Sequence, residues 1–113
     1  MRIFYADYRT SENVSCDAAV ELSFSESRRI LNRIVSGRGF IGVILHSGVT
    51  LQFYQDDSEL SVEMVDSNAR RIDQAKINLP LAESALEAAF GGGDVRAKLN
   101  ESFVKWERSV IPD

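Results

Sequence analysis

"FIGVILHSGVTLQFYQDDSELSVEMVD", residues 40 to 66, decides how this chain folds. It holds three strand-like runs separated by two short turns. Phe40 to His46 is nearly all apolar, as a strand covered on both faces is. Ser47 and Gly48 make a two-residue turn suited to a tight hairpin. In the next run Val49, Leu51 and Phe53 share one face, with Thr50, Gln52 and Tyr54 on the other. Asp56, Asp57 and Ser58 form the second turn. The third run then points Leu60, Val62 and Met64 inward and Ser61, Glu63 and Val65 outward. The middle of the chain is an antiparallel meander.

Helical periodicity flanks it. In "SESRRILNRIVSG" an apolar stripe of Ile30, Leu31, Ile34 and Val35 recurs at helical spacing, with Arg28, Arg29 and Arg33 turned away from it. Ser23 or Ser25 caps this helix, Ser23 and Glu26 having capping-box spacing, and Gly37 stops it. On the other side Pro80 stands where a helix begins, and Leu81, Ala85, Leu86, Ala89 and Phe90 give "PLAESALEAAF" its stripe. "GGGD" ends that helix, and Asp94 caps another in which Val95, Leu99, Phe103 and Trp106 line one side. Arg2 to Tyr8 reads as a strand, Ala18 to Phe24 as a second, and "AKINL" as a short edge strand after a polar loop with Arg70 and Arg71. The sum is one α+β domain over residues 1 to 113: a meander of four to six strands with two or three helices on one face.

Composition narrows the function. The chain has 44% hydrophobic and 27% charged residues, the balance of a globular domain. Its 17 acids outnumber 13 bases, which disfavours nucleic acid and anionic membranes as partners. One cysteine, Cys16, cannot close an internal disulfide; with no apolar leader in "MRIFYADYR" and no apolar run near the ~20 residues of a membrane span, a cytoplasmic protein is expected. Asn13-Val14-Ser15 and Asn100-Glu101-Ser102 match the glycosylation pattern, which has no meaning without export.

Motifs for chemistry fail on context. "GRGFIG" fits G-x-G-x-x-G but lies after a helix and before a strand, the reverse of a dinucleotide fingerprint. "GGGDV" precedes a helix yet lacks the lysine and hydroxyl of a phosphate loop. Nothing joins Cys16 to His46 as a nucleophile and base, and no cluster has metal-ligand spacing. No catalytic residue, metal or cofactor is expected.

Charge distribution is more informative. Arg28, Arg29, Arg33 and Arg38 have no acid among them between Ser27 and Gly39, while Ser47 to Ala69 carries Asp56, Asp57, Glu59, Glu63 and Asp66 with no Lys or Arg. These acids either guard a turn and an edge, or steer a basic protein, with Tyr54 as an amphipathic anchor.

"GFIGVILHSGVTLQFYQDD", "LSVEMVD" and "PLAESALEAAFGGGDVRAKLNESFVKW" together resemble the small immunity proteins of bacterial toxin systems. The shared style is an F-I-x-x-x-L-x-x-G-x-x-L-Q-F hairpin, a further strand, an Ala/Leu-rich helix and a late Trp, over residues 22 to 106. The resemblance implies a non-enzymatic inhibitor that binds a cognate toxin, frequently a nuclease with a basic active site. Two other readings stand beside it: a small-ligand-binding domain, and a structural domain that self-associates as a homodimer through a strand edge or sheet face.

Overall fold

The computed structural model describes residues 1 to 111. Among them are eight strands in one antiparallel sheet and three α-helices, so the α+β class and the meander hold. The strands are β1 (Arg2–Asp7), β2 (Glu12–Val14), β3 (Val20–Glu21), β4 (Gly39–Ile44), β5 (Val49–Gln55), β6 (Leu60–Asp66), β7 (Arg71–Ile77) and β8 (Glu107–Val110). The helices are α1 (Phe24–Val35), α2 (Leu79–Phe90) and α3 (Val95–Asn100), with a 3₁₀ turn at Cys16–Ala18. The sheet runs β2-β1-β4-β5-β6-β7-β8, and β3 shares with β2 the outer edge of β1.

Alternation sorts the sheet's side chains. Ile3, Ile41, Val43, Leu51, Phe53, Val62 and Ala75 lie side by side across the strands and form the core with Ile30, Leu31 and Ile34 of α1 and Ala82, Ala85, Leu86 and Ala89 of α2. Alanines on α2 let it approach closely, and Phe24 of α1 meets Phe90 of α2 edge-to-face at 5.8 Å. Val95 and Leu99 of α3 complete the layer.

Local signals act as their chemistry requires. Ser23 accepts the Glu26 N–H and Glu26 accepts the Ser23 N–H, a closed capping box. Asn78 and Asp94 cap α2 and α3 by accepting the N–H groups of Leu81 and Ala97. The triple glycine ends α2 in a Schellman motif: Gly92, at φ 74°, donates to Ala89 and Gly93 donates to Ala88.

Several boundaries differ from the sequence reading. Ala18 to Phe24 is not one strand: only Val20–Glu21 pairs, because the capping box turns the chain into α1 at Phe24. "AKINL" is not a separate short strand. Its first three residues finish β7, a seven-residue strand that starts at Arg71 and pairs with β8 over Arg71 to Gln74; Ala75 to Ile77 pair with β6 alone, so the edge position expected for this stretch holds among the described residues. The β4–β5 loop takes three residues, with Leu45 bonded to Val49 and Gly48 at φ 82°. Finally, α3 stops at Asn100, so Phe103 and Trp106 are not on a helix face. Phe103 adopts φ 55° and is 90% exposed, and the chain continues into β8.

Candidate functional site

The acids singled out in the sequence do not share one surface. Asp56 folds back over its own turn, accepting the N–H groups of Ser58 at 2.9 Å and Glu59 at 2.8 Å; these bonds hold its carboxyl below the usual carboxylate range. Asp57 lies 3.3 Å from Arg38, and Glu59 lies 3.0 Å from Lys76. Asp66 accepts the Ala69 N–H at the next turn and belongs by register to the helix-covered face. Three carboxylates at the β5–β6 turn thus meet two of the chain's own cations. Turn formation and self-pairing account for most of that acidity.

Two of the three arginines of α1 are opposed as well. Arg28 pairs with Glu83 of α2, and Arg33 donates to Glu12 at 2.6 Å while standing 3.5 Å from the fully buried Asp7. Glu12 also accepts the Tyr5 hydroxyl at 3.5 Å; burial, then the Glu12 charge, raises the Tyr5 phenol. This cluster ties α1 to the sheet edge. Asp7 Oδ2 and Arg33 Nε make no hydrogen bond and are held together by charge alone.

Glu63 and Tyr54 are placed differently. Both point from the sheet face opposite the helices, where Phe4, Phe40, Ile44, Thr50, Gln52, Val65 and Ile72 also project. Most of these side chains are half-buried by their neighbours on the sheet, and no helix packs on them. Gly42 fits beneath the ring of Phe4: a Cβ there would stand 2.0 Å from Phe4 Cζ. Phe4 and Tyr8 each meet Phe40, at ring centroid distances of 6.1 and 6.3 Å. An aromatic patch therefore occupies the β1–β4 side of this face.

A polar row crosses the same face. Gln52, Glu63 and Gln74 are register partners on three neighbouring strands. Among the described residues Glu63 has no cation within ion-pair distance, and burial alone pushes its carboxyl up. Its position was legible from alternation. Its isolation was not, because which side chains lie beside it depends on cross-strand register.

Arginines 71, 96 and 108 form a group that sequence reasoning missed. They converge on Asp73, which is 1% exposed: Arg108 donates at 2.7 and 3.2 Å, Arg96 at 2.5 Å, and Arg71 stands at 3.6 Å. Arg108 foremost, with Arg96, holds the Asp73 carboxyl below the usual range against the opposing effect of burial. Trp106 lies under Arg96, 4.6 Å from its guanidinium carbon, and donates to Asn100.

Cys16 and His46 are both exposed, on separate connections, with no hydrogen bond between them. Among the described residues no group of three His, Cys, Asp or Glu is placed to hold a metal, and no helix is long and apolar enough to cross a membrane. A cleft of about 880 Å³ lies between β7, the start of α2 and the segment that leads into β8. Compared with known proteins, the chain matches no family model, no curated protein and no solved structure.

Proposed function

We propose that this chain is a non-enzymatic protein-binding module of the immunity type, which occludes a basic partner, in that setting a toxin in the cytoplasm of the cell that makes it. The docking surface is the helix-free sheet face, with Glu63 at its middle and Tyr54, Phe40 and Tyr8 on one flank. One observation supports the reading: a half-buried carboxylate stands between Gln52 and Gln74 at the middle of this face, with no cation within ion-pair distance among the described residues. Such a group costs stability in the isolated chain, and a lysine or arginine from a partner offsets that cost. Tyr54 on β5 and the aromatic residues on the β1–β4 side of the same face supply the large, rigid contact area on which hot spots depend. The excess acidity of the whole chain adds steering toward a cationic protein.

The test is co-purification with the product of the adjacent gene, followed by binding kinetics for the native chain, Glu63→Gln, Glu63→Lys and Tyr54→Ala. Glu63→Lys should weaken binding by about 10²-fold or more and Tyr54→Ala by about tenfold, mainly through faster dissociation. Asp57→Asn, at a pair already satisfied by Arg38, should change the lifetime little. A complex whose lifetime ignores Glu63→Lys and Tyr54→Ala refutes this docking face.

A further inference from the structure

Three guanidinium groups crowd one carboxylate where β7, β8 and α3 meet. Arg96 Nη2 stands 2.5 Å, Arg108 Nη2 3.2 Å and Arg71 Nε 3.6 Å from the same oxygen, Asp73 Oδ2. Among the described residues no other Asp or Glu lies within ion-pair distance of these arginines. Asp66, across the ladder from Arg71, has one oxygen bound to the Ala69 N–H and makes no ion pair with it. The cluster thus sets three positive charges against one negative charge, in a chain whose net charge is −4.

Asp73 alone does not balance this arrangement. Arg108 completes a bidentate pair with it through Nε and Nη2. Each further guanidinium adds repulsion that a single carboxylate cannot cancel, and an anion from outside offsets it. The arginines have donors to hold one. Arg108 keeps Nη1, Arg96 keeps Nε and Nη1, and Arg71 makes no side-chain hydrogen bond among the described residues. All three side chains are partly exposed while Asp73 is buried, so solutes can reach the guanidinium groups but not the carboxylate. Arg96 is also braced in place, because the Trp106 ring lies against it and the indole N–H donates to Asn100 at 2.8 Å. Donors fixed beforehand lose little freedom when a ligand arrives.

Charge and shape name the ligand class. Arginine forks match the oxygens of phosphate, and a phosphate dianion balances the whole surplus. A carboxylate or a phosphodiester carries one charge and leaves half of the repulsion in place. We propose that Arg71, Arg96 and Arg108 form a binding site for a phosphate dianion, either the free ion or a phosphomonoester. Arg71, the arginine least engaged by Asp73, is its chief ligand. The site does not involve the helix-free sheet face and stands whether or not that face docks a partner.

The test is titration of inorganic phosphate into the ¹⁵N-labelled full chain at about pH 8, where phosphate is a dianion, with ionic strength held constant by sodium chloride. The Nε–H signals of Arg71, Arg96 and Arg108 should shift together and saturate, while the amides of Tyr54 and Glu63 stay in place. Arg71→Gln leaves the Arg108–Asp73 pair intact and should weaken binding about tenfold or more, through loss of charge-assisted bonds. Arg29→Gln removes an exposed charge on α1, away from the cluster, and should change affinity by less than about twofold. Dimethyl phosphate and acetate, each with one charge, should bind about tenfold more weakly than phosphate. Phenyl phosphate sorts the two sources: tighter binding than inorganic phosphate marks a phosphorylated molecule as the occupant, and weaker binding marks the free ion. The proposal is overturned if the arginine signals of the native chain do not saturate, if acetate or dimethyl phosphate matches phosphate, or if Arg29→Gln weakens binding as much as Arg71→Gln. Binding that appears only after removal of residues 112 and 113 would also overturn it, because a carboxylate of the chain itself would then be the occupant.

Discussion

Replacing Asp73 by alanine tests the largest ionic cluster among the described residues. The change removes one buried carboxylate and leaves the guanidinium groups of Arg71, Arg96 and Arg108 facing one another. Taking one partner from a fully buried pair costs about 3–5 kcal/mol. Here the carboxylate is buried but the arginines are 32% to 58% exposed, so water screens the charges left behind. A loss of about 2 kcal/mol follows, roughly that of two charge-assisted hydrogen bonds in partly wet surroundings. With an unfolding entropy of ~2.1 cal/mol/K per residue, that loss lowers Tm by about 8 °C. Urea unfolding and calorimetry measure it directly. pH supplies a second signature. The folded state depresses the Asp73 carboxyl, so the unfolded chain binds the proton more readily, and the stabilisation is complete above the ordinary carboxylate value of 3.8. It disappears as pH falls through the depressed folded value. The gap between native chain and Asp73→Ala should be full at pH 7 and narrow steadily below about pH 4. A loss under about 0.5 kcal/mol, or a gap independent of pH, refutes the view that this cluster clamps β7, β8 and α3 together.

Other substitutions probe separate parts of the structure. Gly42→Ala places a methyl against the Phe4 ring and should cost about 1–3 kcal/mol in chemical denaturation, with loss of the Phe4–Phe40 contact by NMR. Glu63→Gln should stabilise the isolated chain at pH 7. Burial raises that carboxyl in the folded state, so the native chain gains as pH falls, and the advantage of the variant should vanish below the unfolded value near 4.5. Ser23→Ala opens the capping box and should cost about 1 kcal/mol, read from urea midpoints with an unchanged slope.

Elements in which local chemistry and tertiary packing agree were legible in the sequence. β5 alternates strictly and β6 does so as far as Met64, and α1 has both a capping box and an apolar stripe; their faces match the structure. β7 was hidden by its own function. Asp73 points inward where alternation calls for an apolar residue, so "RID" resembles a loop until arginines distant in sequence are brought to it. The end of α3 misled for another reason: Val95, Leu99, Phe103 and Trp106 keep helical spacing, but Phe103 donates to Asn100 in a turn and Trp106 swings out to stack on Arg96. β2, β3 and β8 are polar or short, and they are strands because a neighbour offers a free ladder. At the candidate site the position of Glu63 followed from alternation. The pairing of Asp57 and Glu59 with Arg38 and Lys76 depends on side chains from other elements, which no local pattern encodes.

The position of β1 sets an order of assembly. β4 through β7 connect through tight hairpins and can zip as soon as each turn forms, whereas Asp7 must wait for Gly39 and the whole of α1 must be spanned first. β1, made before its partner strand, is thus among the last to find its place. Until it docks, the β4 edge that Ile3 and Tyr5 will cover is exposed, and this is the interval in which the nascent chain is most open to aggregation.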